Sequence, residues 1–120
     1  MKKILTIIAL LFSVSMFAQN GDAVVNALKE ASVAKFSNYF SNNIDLKFPQ
    51  KAELKNVSKA DAATALSDFF SSNSVSGFDV TSQREMAGTM YIAGKLKGSS
   101  NSYNITVMLK NGSVITVRIN

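Results

Sequence analysis

The sequence predicts an α+β fold, with helices covering one face of a mainly antiparallel sheet of about six strands. Three observations carry that expectation. Hydrophobic periodicity gives the order helix(es), two strands, helix, four strands. Everything from Phe78 to Ile119 reads as strand and turn. No linker or internal repeat divides the 120 residues, which suits a single domain.

Asp22 is placed to cap a helix starting at Ala23, with Val24, Val25, Leu28 and Ala31 on one apolar face. Ser32 reads as a second cap that restarts the helix through Phe36, Tyr39 and Phe40, until Asn42 and Asn43 end it. Ile44, Leu46 and Phe48 then alternate with Asp45 and Lys47, the period of a half-buried strand. Pro49 stops that strand because it has no N–H for the ladder. Residues Ala52 to Val57 return as a shorter strand. Ser58 opens the central helix: its hydroxyl satisfies an orphan amide, and Asp61 suits the helix dipole. This helix runs to about Ser72, with Ala63, Leu66, Phe69 and Phe70 as its apolar stripe.

Phe78 and Val80 begin the next strand, followed by Thr89 to Lys97, Tyr103 to Leu109 and Ser113 to Ile119. The last hairpin poses a register problem. A two-residue Asn111-Gly112 turn sets Leu109 opposite Val114 and Met108 opposite Ile115, which leaves neither face uniformly apolar. A three-residue loop, Lys110-Asn111-Gly112, pairs Leu109 with Ser113, Val107 with Ile115 and Ile105 with Val117. One face is then apolar throughout, and a buried face fixes register. The expectation is a type I turn with Gly112 in a left-handed bulge.

The first 18 residues have the layout of a secretory signal peptide. Lys2 and Lys3 are followed by an apolar run from Ile4 to Phe17, and Ala18 offers a small residue for cleavage. The run is about 14 residues, short of the roughly 20 that cross a bilayer as a helix. Met16 is large for the −3 position, and cleavage after Ser15 is the other option. No cysteine follows, so a lipoprotein anchor is not expected. The reading is an exported chain, periplasmic or secreted, with a single domain over residues 19–120.

With zero cysteines that domain must be stable on its core alone. Without Lys2 and Lys3, 11 basic residues stand against 8 acidic ones, a net charge of +3. The basic residues are scattered and mostly lysine, so a solvated surface fits better than nucleic-acid binding. Zero histidines and zero cysteines remove Ser-His-Asp and Cys-His nucleophile systems and the commonest zinc ligands. No catalytic residue, metal or cofactor is expected from the motifs. An acid–base site would need a carboxylate beside Tyr39, Tyr91 or Tyr103. Asp45, Asp68 and Asp79 are each out of phase with their apolar neighbours and read as surface, and Glu85 lies in an irregular stretch.

The order of elements, with YFSNNIDLKFP after the first helices, ADAATALSDFF in the central helix and a terminal VITVRIN strand, resembles a family of small exported bacterial proteins. That family is classed as a domain of unknown function and looks like a member of the nuclear transport factor 2-like superfamily. The resemblance covers about Asp22 to Asn120 and implies a cone of curved sheet around helices; a cystatin-like sheet on one helix is the alternative. In such a cone Phe36, Phe40, Phe69, Phe70, Phe78 and Tyr91 are candidates to line an apolar ligand pocket, although aromatic residues more often fill a core. The superfamily includes isomerases, cyclases and non-catalytic modules, and a fold alone does not choose among them. The leading expectation is a non-catalytic exported module that binds a small apolar ligand or a protein partner, as a homodimer. A small isomerase- or cyclase-like enzyme using a Tyr/carboxylate pair and an envelope-associated structural protein are the competing readings.

Overall fold

The computed structural model describes residues 20–120. The expected leader and its cleavage position lie outside the described residues.

Helix α1 covers residues 20–29 and buries Val24, Val25, Ala27 and Leu28. The helix is already under way at residue 20, so Asp22 is inside it and does not cap it. Its exposed carboxylate instead accepts a hydrogen bond from Gln83 Nε2 at 3.3 Å. Ala31 adopts φ +53° and breaks the helix, and Ser32 restarts it by accepting from Lys35 N at 3.2 Å. The restarted helix α2 is a short turn, Val33–Ser37.

Asn42 and Asn43 do not end a helix; they lie in strand β1, Phe40–Lys47. The reason is non-local. Tyr39 O accepts from Val114 N, and Phe40 pairs with Val114 in a parallel ladder. Phe40 also meets Phe36 edge-on, with centroids 4.9 Å apart. These tertiary contacts override the local helical pattern. Strand β2, Leu54–Ser58, folds back antiparallel.

Helix α3, Lys59–Ser72, starts as the sequence predicts, with Ser58 Oγ accepting from Asp61 N at 3.2 Å. Its fully buried stripe is Ala62, Leu66 and Phe70. Ala63 and Phe69, expected on that stripe, are half-buried. Strands β3 (Gly77–Met86), β4 (Thr89–Lys97), β5 (Ser102–Lys110) and β6 (Ser113–Ile119) complete the chain.

The six strands form one sheet in the order β2-β1-β6-β5-β4-β3, antiparallel except for β1 beside β6. Its helix-facing side carries Ile44, Leu46, Ile92, Leu96, Ile105, Val107, Leu109, Val117 and Ile119, all nearly inaccessible. Among the described residues no helix is long and apolar enough to cross a membrane.

The β5–β6 hairpin differs from the sequence expectation. Lys110 pairs with Ser113, so the turn has two residues, and Asn111 (φ +53°) and Gly112 (φ +80°) are both left-handed. That is the geometry favoured in two-residue hairpins. Leu109 pairs with Val114, but Met108 pairs with Thr116, so Ile115 is the extra residue of a bulge. Beyond it Val107 meets Val117 and Ile105 meets Ile119. The apolar face is therefore restored, but by a bulge inside β6 and not by a longer loop.

Two positions test this account. The β3–β4 turn is also two residues, with Met86 paired to Thr89 and Ala87 at φ +52°. Ala87→Asn should raise stability by about 0.5–1 kcal/mol, because alanine tolerates that conformation poorly; the urea midpoint checks it. Gly94 pairs with Val80 and Ile105. A Cβ there would run into the Asp79 carbonyl and the Phe78 ring. Gly94→Ala should cost about 3 kcal/mol, and an unchanged urea midpoint would refute the tight packing described.

Candidate functional site

Helix α3 presents two faces. Ala62, Leu66 and Phe70 close onto the sheet, while Ala65, Asp68, Phe69 and Ser72 form the neighbouring stripe at helical spacing. That second stripe is one wall of an open groove of about 600 Å³. The opposite wall is the chain leaving β1 and entering β2, namely Phe48, Pro49, Lys51 and Leu54. Tyr103, at the start of β5, and Asn73, the C-cap of α3, close the end.

Proline shapes the wall opposite α3. Pro49 ends the ladder after β1, so Phe48 leaves the sheet and meets the Phe69 ring at 5.4 Å with a 34° tilt. On its other side Phe69 meets Tyr103 edge-on at 5.2 Å. Such contacts add to burial energy and fix ring positions. Leu54 is 49% exposed, an apolar side chain left open to solvent at the groove mouth.

The polar end is held by one amide. Asn73 Nδ2 donates to Phe69 O at 2.9 Å, and Asn73 Oδ1 accepts from the Tyr103 hydroxyl at 2.8 Å. Ser99 N donates to Asn73 O at 3.2 Å, which ties the β4–β5 loop to the same residue. Thus the helix end, the loop and the tyrosine form one unit. Lys51 and Asp68 are exposed on the groove walls.

The sequence-predicted aromatic residues separate into three places. Phe36, Phe40, Phe70 and Phe78 lie in the core at 5% exposure or less, and Phe70 also borders a shallow depression of about 390 Å³ between α2 and α3. Phe69 lines the groove. Tyr91 is half-buried on the sheet face that the helices do not cover. Phe48, Leu54 and Asn73 were not singled out by the sequence as site residues. The available signal was Phe48-Pro49: an aromatic residue at a forced strand exit has no sheet neighbour beyond it. Among the described residues no set of His, Cys, Asp or Glu is placed to hold a metal. The Tyr103 hydroxyl faces an amide oxygen and not a carboxylate.

A search of curated proteins finds no match. Among solved structures, a DUF4783 family protein from Bacteroides ovatus superposes with TM-score 0.72 at 25% identity, over 81% of this chain and 90% of that one. One from Bacteroides uniformis gives TM-score 0.75 at 20% identity, over 82% and 94%. An NTF-2 like protein of unknown function from Burkholderia xenovorans gives TM-score 0.69 at 10% identity, over 88% and 82%. The fold is therefore that of the nuclear transport factor 2-like proteins. The model of the domain of unknown function DUF4783 matches residues 21–120, and the chain belongs to that family.

Proposed function

We propose that this is an exported, non-catalytic binding module, and that the groove beside α3 takes a small, largely apolar ligand. The observation that carries this reading is the ring series Phe48–Phe69–Tyr103 bordering an open groove of about 600 Å³. The volume falls in the usual range for small-molecule sites, which are mainly apolar with a few placed polar groups. Here those groups are Lys51, Asp68 and Asn73.

The polar chemistry supports binding over turnover. A general acid–base pair needs a titratable partner within hydrogen-bond reach of the reacting proton. Tyr103 spends its hydroxyl proton on Asn73 Oδ1, and the amide is itself fixed by Phe69 O. Both groups are structural ties at the end of the groove. The apolar leader ahead of residue 20 supports export.

The test uses 1-anilinonaphthalene-8-sulfonate, a dye with an apolar ring system and one anionic group. Fluorescence titration of the native protein should show saturable binding. Phe69→Ala should weaken it about tenfold, a loss near 1.4 kcal/mol, because two ring contacts disappear together. Phe36→Leu, which alters the core alone, should leave the dye affinity within about twofold, a change of roughly 0.4 kcal/mol. Equal affinity in the native and Phe69→Ala proteins would sink the proposal. Appearance of the leaderless chain in the periplasm or medium, with a new N-terminus near residue 19, checks export.

A further inference from the structure

Strand β3 is an edge of the sheet, with β4 on one side and no strand on the other among the described residues. It runs over Gly77–Met86, and every residue from Asp79 to Met86 is exposed. Natural sheets blunt such an edge with lysine, proline, a short strand or a covering element. The opposite edge is blunted: β2 has five residues, carries Lys55, and is bent at Asn56, which adopts φ +54°. Strand β3 contains neither lysine nor proline, and its one irregularity is the bulge at Thr81. Beyond that bulge, Ser82 to Met86 pair with β4 in unbroken register.

The phase of the ladder shows what this edge offers. The two-residue turn closes at Met86 and Thr89, so hydrogen-bonded pairs recur at Arg84–Tyr91 and Ser82–Ala93. Gln83 and Glu85 lie between them and turn N–H and C=O away from β4. No loop or helix backbone takes these groups among the described residues. The side chains add a charge pattern. Gln83 and Glu85 pair with Ile92 and Met90 on the helix side of the sheet, whereas Arg84 pairs with Tyr91 on the other side. Gln83 Nε2 donates to Asp22 Oδ1 at 3.3 Å, which brings a second carboxylate to the helix side. Asp22, Glu85 and Arg84 take part in no ion pair among the described residues. The edge is thus acidic on the helix side, basic on the other, and apolar at its tip, where Met86 is 51% exposed.

We propose that β3 is a docking edge for an extended segment of a partner protein, added antiparallel along residues 82–86. The charge pattern defines that segment: basic side chains opposite Gln83 and Glu85, an acidic one opposite Arg84, and an apolar one opposite Met86. In strand addition, main-chain hydrogen bonds give affinity and alternate side chains give specificity. Opposed unlike charges stabilise a cross-strand pair and like charges destabilise it. The residues that attract the matched segment therefore also reject an acidic one. This edge is separate from the groove, whose Tyr103 pairs with Leu96 near the far end of β4.

The probe is a fluorescein-labelled peptide, Val-Lys-Glu-Lys-Thr, whose residues oppose Met86, Glu85, Arg84, Gln83 and Ser82 in turn. Its anisotropy should saturate as the native protein is raised to about 1 mM. N-methylation of the two lysine nitrogens, which face β3, should abolish binding. N-methylation of the glutamate nitrogen, which faces away, should change it by no more than about twofold. Glu85→Lys should weaken binding about tenfold, and a peptide with glutamate in place of its first lysine should bind that variant better than it binds the native chain. Phe69→Ala should leave the affinity unchanged, which separates the edge from the groove. Circular dichroism confirms that each variant folds; should Glu85→Lys unfold, the two N-methylated peptides on the native protein still decide the matter. Equal binding of the lysine-methylated and parent peptides overturns the proposal, as does no binding at 1 mM protein. A self-paired chain whose β3 excludes the peptide assigns the edge to a second copy and overturns it as well.

Discussion

Strand β6 is the constraint on which the rest of this structure depends. It lies between β1, its parallel neighbour, and β5, its hairpin partner, so its side chains set the register of both halves of the sheet. Its sequence alternates correctly for burial only if one residue is taken out of phase at Ile115. A sheet with one buried face cannot tolerate the wrong phase, since each slip of one residue exchanges the two faces. The bulge is therefore the device that lets a tight Asn-Gly turn and an apolar core exist in the same hairpin. Through β6 it sets the phase of β1, whose exit at Phe48 is fixed locally by Pro49.

Helix α3 converts that sheet geometry into a groove. A helix with a single apolar stripe would lie on the sheet and show a polar face to water. Here a second stripe adjoins the first, and Phe69 belongs to it while Phe70 belongs to the core. Two successive phenylalanines about 100° apart around a helix axis must point in different directions. One stabilises the fold by burial, and the other is held half-open by the rings on either side of it. Asn73 then ends the helix and locks it to the β4–β5 loop, so the open ring sits on a rigid support.

Much of the architecture was legible in the sequence because it rests on local chemistry. The Ser32 and Ser58 caps, the strand ending at Pro49, and the runs Thr89 to Lys97 and Ser113 to Ile119 all follow from residues within a few positions of one another. The expectations that gave way depended on distant partners. Asn42 and Asn43 look like a helix terminator until Phe40 pairs with Val114, more than seventy positions along the chain. Asp22 looks like a cap, yet the helix begins before it. In the last hairpin the conflict between turn and core was visible in the sequence, but two devices could resolve it. Asn111-Gly112 so strongly favours a two-residue turn that the correction moved into the strand. The groove was hidden for the same reason. It assembles Phe48, Phe69, Asn73 and Tyr103 from three separate segments, whereas periodicity within a segment can only say which side of that segment is apolar.

The division of the sheet into two unlike faces also limits what the chain can do. Nearly all deep burial is on the helix side, so a large cavity there would have to be emptied of the residues that hold the domain together. Without disulfides, and with a core built from about one hundred residues, that would remove stability the fold has no other means to replace. The groove lies at the edge of the core, where side chains such as Phe69 and Leu54 are already half-exposed. Edge sites of this kind remain wet. A wet site gives weak electrostatic leverage on a transition state, because water screens the charges that must act on it. Apolar contact suffers less from that exposure, since it draws on the area that ligand and groove remove from water together. On the reading proposed above, a ligand would be held by apolar contact at the rim of the groove and not in the packed interior.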